Sequence, residues 1–175
     1  MKKTLILVLV LVSVLSMSFA SFAAEPIRMG KADWAAHGTR CFTVAVVALQ
    51  GDVIVGAYLD EYQMMPKDQT TGVPNSDKAF GDNFVDAAQN LASKKVNSDY
   101  YSKNMAERGG ATISVGDNFV ALENFVIGMT VAELEAFLTN NTAEAAVDLV
   151  TGATLVDNYG YLTAFWAAAK DAQSR

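Results

Sequence analysis

Cysteine is almost missing from this chain: Cys41 is the single one in 175 residues. One thiol cannot close an internal disulfide, so stability has to come from packing, whatever the redox state of the surroundings. Histidine is as scarce, with His37 alone. His37 and Cys41 stand four apart, a spacing that suits a metal only on a helix. Gly38 lies between them and no further ligand cluster accompanies them, so no metal is expected. Proline is confined to Pro26, Pro66 and Pro74. No internal repeat and no linker divides the sequence. Basic residues are outnumbered 13 to 19 by acidic ones. Such a balance repels phosphate backbones and anionic lipid heads, which argues against nucleic acid and the membrane surface as partners.

Long apolar runs are also lacking, with one exception at the start. Lys2 and Lys3 are followed by the nearly unbroken apolar stretch Leu5–Leu15 and a small-residue patch. Ser21 and Ala23 occupy the −3 and −1 positions of a cleavage site, the layout of a secretory signal peptide. The stretch falls short of the roughly 20 residues that cross a bilayer. Residues 1–23 are therefore expected to be a cleaved signal, with no integral membrane segment in the mature protein. The protein is expected to be exported, to the periplasm or to the cell exterior or surface. Removing Lys2 and Lys3 leaves 11 basic against 19 acidic residues, a formal charge of −8. Residues 24–175 have the size of one domain with one core.

Residues 24–41 read as an irregular lead-in, with Pro26, Gly30 and Gly38 as breakers. The run Phe42–Leu49, the turn Gln50-Gly51-Asp52 and the run Val53–Leu59 read as a β-hairpin. Both runs are apolar at most positions, so helices should cover at least one face. Asp60–Met65 is expected to leave the second strand, with a polar connector from Pro66 to Gly81. Apolar spacing predicts helices over about 82–95, over about 97–107 stopped by Gly109-Gly110, and around Phe119–Ile127. Thr130 and Glu133 form a capping box before Leu134. A last helix is expected over about 159–173. The fold class is thus α+β: a small antiparallel sheet built on a hairpin, packed with several helices including a C-terminal one.

The segment Asp148-Leu-Val-Thr-Gly-Ala-Thr154 carries the one sharp chemical signal. Gly152 and Ala153 are small enough for a phosphate to approach the chain. A threonine beyond them, before a helix start, can present its hydroxyl to an anion favoured by the helix dipole. The string resembles the flavinylation motif of FMN-binding domains: Asp, two variable residues, Ser or Thr, Gly or Ser, Ala, Thr. Such domains occur in the C subunit of sodium-pumping NADH:quinone oxidoreductase, in Rnf-type complexes and in exported flavoproteins. The resemblance extends more loosely to the hairpin Phe42–Glu61 and to the helix after the motif. It departs at Leu149, where a small residue is common, and at Leu155-Val156-Asp157.

This resemblance implies FMN joined to Thr154 as a phosphoester, donated from FAD by a flavin transferase. Asp148 would be the motif acid, with Thr151, Gly152 and Ala153 shaping the loop. It further implies electron transfer between redox partner proteins, with no catalytic residue and no substrate of the protein's own. The alternative is a non-redox binding module of the cell envelope that keeps the fold without flavin. Tyr58, Tyr62, Met64, Met65, Tyr100 and Tyr101 could flank a flavin ring, although core packing is their commoner use. Arg108 could meet a phosphate or end a helix in solvent. Asp60 and Glu61 read as solvent-facing, on opposite faces of a strand end.

Overall fold

The computed structural model describes residues 25–38, 40–76 and 84–175. The expected signal segment, residues 1–23, lies outside the described residues. Four strands form one antiparallel sheet in sequence order: β1 (Ile27–Trp34), β2 (Cys41–Gln50), β3 (Val53–Pro66) and β4 (Gln89–Ser93). Five helices follow: α1 (Ser98–Gly109), α2 (Val115–Val126), α3 (Val131–Asn140), α4 (Ala143–Leu149) and α5 (Asn158–Gln173). The α+β class read from the sequence is the observed one.

Alternation places the core. In β2, Thr43, Ala45, Val47 and Leu49 are fully buried, while the residues between them are not. Helix α5 lies over this face, bringing Tyr161, Leu162, Phe165 and Ala169 against it. Its close approach depends on small residues. A Cβ at Gly30 of β1 would sit 2.0 Å from the Ala168 carbonyl oxygen and 2.4 Å from the Ala172 nitrogen. Only glycine lets the helix backbone settle on the strand there.

The two sides of β3 are closed differently. Beyond Tyr62 it pairs with β4, whereas upstream its outer edge meets α2 and the turn that follows. The Leu59 N–H donates to Glu123 Oε1 of α2 at 2.7 Å, and Ile54 exchanges backbone hydrogen bonds with Met129 and Gly128. These contacts leave fewer strand groups unpaired in solvent. Helix α3 starts at the expected capping box, with Thr130 Oγ1 accepting from the Glu133 N–H and the Glu133 carboxylate from the Thr130 N–H.

Several expectations are corrected. The lead-in is not irregular, because Ile27–Trp34 pairs along its whole length with β2. Its breakers have other uses: Pro26 precedes the strand and Gly30 makes room for α5. Among the described residues 84–95, the helix expected over about 82–95 is not found. Residues 82 and 83 lie outside the described residues, and Gln89–Ser93 is a strand. The apolar spacing of Ala87, Ala88, Leu91 and Ala92 suits either period, and the open lower edge of β3 offers hydrogen bonds that decide it. Strand β3 itself continues through Met65 to Pro66 instead of ending at Leu59. Asp148 stands in the last turn of α4, a helix the sequence reading passed over.

Candidate functional site

A cavity of about 450 Å³ opens between the β3–β4 end of the sheet, α1, the loop before α5 and the start of α5. Its lining includes Met65, Lys94, Tyr100, Tyr101, Met105, Arg108, Thr154, Asp157 and Tyr161. The volume lies in the roughly 300–1,000 Å³ range of small-molecule sites. Residues far apart in sequence meet here because β3, β4 and α5 converge on the core side of the sheet.

The polar centre of this region is buried. Lys94 and Glu61 form an ion pair, with Lys94 at 1% and Glu61 at 0% exposure. The hydroxyls of Thr43 and Tyr161 donate to the Glu61 carboxylate at 3.0 and 2.8 Å. The Lys94 ammonium also sits 4.3 Å from the centre of the Tyr101 ring. Burial alone would push the Glu61 carboxyl up. The Lys94 charge and the hydrogen bonds from Lys94, Tyr161 and Thr43 outweigh it and hold the group below its ordinary range. Burial would likewise lower Lys94, yet the Glu61 charge holds it above its usual value. Both groups are charged at neutral pH. Burial, then Glu61, pushes Tyr161 far up, so its hydroxyl remains a donor.

Asp60 and Glu61 do point to opposite faces, but neither faces solvent. Asp60 is 1% exposed and accepts from the Ser93 hydroxyl at 2.5 Å and the Glu61 N–H at 2.7 Å. Ser93 closes β4, and in the turn that follows it the Lys95 N–H also donates to Asp60, at 3.2 Å. The residues are therefore two separate, satisfied carboxylates and not an acid/base pair. Cys41 is half-buried, with its thiol pushed up to about 12 by burial and by the nearby Glu61 charge. At neutral pH that thiol is protonated and a poor nucleophile. Among the described residues, no three His, Cys, Asp or Glu side chains are placed to share a metal ion.

The motif residues are divided between several surroundings. Thr154 is exposed and lines the cavity. Its N–H donates to Asn118 Oδ1 at 2.6 Å, and Asn118, fully buried, is anchored in turn to the Ser114 carbonyl at 2.8 Å. Ala153 is buried, and its carbonyl accepts from Asn158 Nδ2 at 2.9 Å. Gly152 has φ of 86°, a left-handed conformation that glycine adopts without strain. Thr151 and Gly152 line a different, more open hollow against α2. Asp148 is exposed on α4 and borders neither concavity.

Of the suggested ring-flanking residues, Met64, Met65, Tyr100 and Tyr101 line the cavity, whereas Tyr58 and Tyr62 do not. Tyr62 stacks on Phe42 across the strands, with ring centres 5.4 Å apart. Arg108 lines the cavity from the last turn of α1 and is in no ion pair among the described residues. His37, by contrast, is paired with Asp157 at the cavity. Sequence reasoning missed Lys94, Asn118 and Tyr161. The only available signal was Lys94-Lys95 beside a short apolar run, too common to single out.

No protein-family model matches the chain, and neither a curated protein nor a solved structure does. Among the described residues, no helix is long and apolar enough to cross a membrane.

Proposed function

We propose that this protein carries FMN as a phosphoester on Thr154 and serves as an electron carrier outside the cytoplasm. The observation that carries the reading is the position of Thr154. Its exposed side chain borders a cavity walled by Tyr100, Tyr101, Met65 and Met105, flat and polarisable groups suited to an aromatic ring. The residues fit the group. Thr154 would hold the phosphate, Arg108 is a free cation on the same cavity, and the Tyr and Met side chains would hold the ring. When bound, FMN supplies the one- or two-electron chemistry.

Loading requires a flavin transferase and FAD. A bond forms between Thr154 Oγ1 and the phosphorus next to riboflavin as the FAD pyrophosphate breaks. AMP leaves, and the threonine proton is released. Asn118 fixes the backbone at the acceptor, and Gly152 gives the loop its turn. Asp148 and Thr151 lie off the cavity, so their part belongs to recognition by the transferase and not to seating the ring. Covalent attachment suits an exported protein, because the local concentration of the ring is then set by geometry and not by free FMN.

Intact-mass measurement on mature protein co-produced with a flavin transferase should give the mass of one added FMN, which Thr154→Ala abolishes. An unchanged mass in the wild type, or the same gain in the variant, overturns the assignment. The expected holoprotein is yellow and bleaches on reduction with dithionite.

A further inference from the structure

The Glu61–Lys94 pair is unexplained by the tether at Thr154. A buried ion pair is costly to assemble, and a hydrophobic pair of similar volume would fill the same space. Lys94 nevertheless lines the cavity while remaining 1% exposed. An ammonium has three N–H donors. Glu61 takes one and Tyr101 engages another, which leaves donor capacity for an acceptor in the cavity. Tyr101 thereby joins a flat wall to a hydrogen-bond donor at one end of the space. Tyr161 and Thr43 hold Glu61 in place, so the donor is fixed before any ligand arrives.

We propose that this cavity binds a planar, carbonyl-edged heteroaromatic ring without any covalent tether, with Tyr101 as the stacking wall and Lys94 as the donor to the carbonyl edge. The identity of the ring as isoalloxazine rests on the flavin reading above, whereas its binding does not require Thr154. Lys94 acts as a positioning residue. It selects rings that present acceptors and disfavours rings that present positive charge or amino edges.

The test uses the full mature chain made without a transferase and, as probe, riboflavin, which has no phosphate to attach. Riboflavin fluorescence should be quenched saturably by the wild-type chain, whose Thr154 then carries no tethered flavin. Proflavine, a cationic tricycle with amino edges, should bind about tenfold more weakly or worse. Tyr101→Ala should weaken riboflavin by about tenfold. The double variant Lys94→Met with Glu61→Gln removes both buried charges and so strands neither. It should erase the preference for riboflavin over proflavine while the far-ultraviolet circular dichroism is unchanged.

Absence of saturable quenching in the wild type overturns the ring site, even if Thr154 gains the mass of FMN. Equal binding of the two probes by wild type, or a preference that survives in the double variant, overturns the role of Lys94. Riboflavin binding without any mass gain on Thr154 supports the ring site and defeats the tether, so the two ideas fail separately.

Discussion

Lys94 and Thr154 border the same cavity from environments that differ in nearly every respect. Lys94 is enclosed, ion-paired with Glu61 and packed over Tyr101. Thr154 is exposed, and among the described residues its one hydrogen bond runs from its backbone N–H to Asn118. The first group follows β4 and is held, directly or through Glu61, by partners from β2, β3, α1 and α5, so its removal disturbs many elements. The second contributes a side chain that the fold does not use. The cost of a single substitution should thus be concentrated at the buried pair, and attachment chemistry at the loop.

The largest expected effect comes from breaking the pair on one side. Lys94→Met leaves the Glu61 carboxylate buried without its counter-charge and should cost about 3–5 kcal/mol in urea unfolding. A loss under about 1 kcal/mol would mean that the pair is hydrated and the contrast overstated. Tyr161→Phe removes one hydrogen bond to that carboxylate and should cost about 1.5–3 kcal/mol by the same measurement. Asn118→Ala frees the Thr154 N–H and should cost about 1–3 kcal/mol while also slowing flavin attachment, followed by mass spectrometry against time. Thr154→Ala should change stability by less than about 0.5 kcal/mol yet lose attachment altogether. Were it as destabilising as Tyr161→Phe, the loop would be part of the structural core and the contrast would fail.

Acidity sharpens the same comparison. Burial pushes the folded Glu61 carboxyl up, but Lys94 and the hydroxyl donors prevail and leave it low. Its stabilisation is therefore complete above the unfolded carboxyl pKa of about 4.3 and is lost as the pH falls through the lower folded value. Lys94 is held high. Its contribution is complete below the unfolded value of about 10.4 and is lost as the pH rises through the folded one. The urea midpoint of the wild type should fall at both extremes. In the Lys94→Met, Glu61→Gln double variant it should vary less, while Thr154→Ala should follow the wild type.

Local patterns were legible where a single element satisfies itself. The hairpin of β2 and β3, the capping box at Thr130, the stop at Gly109-Gly110 and the helix after Asp157 depend on near neighbours, and the sequence displays them. β1 and β4 were not legible because each becomes a strand only by pairing with a partner. Gly30 read as a breaker until Ala168 and Ala172 of α5 were seen against it. Asp60 and Glu61 read as exposed because their satisfying partners, Ser93 and Lys94, arrive from more than 30 residues away.

The amino-acid order alone determined the α+β class, the single small sheet with its terminal helix, and the threonine at position 154 as the candidate acceptor. Those features follow from residue period, capping and a contiguous motif, all of which act over a few positions along the chain. Tertiary structure alone decided that Thr154 shares a cavity with Tyr101 and Lys94, that Asp148 stands apart from it, and that Glu61 is charged while buried. Such facts depend on desolvation and on partners delivered by distant strands and helices, quantities that spacing along a chain does not encode.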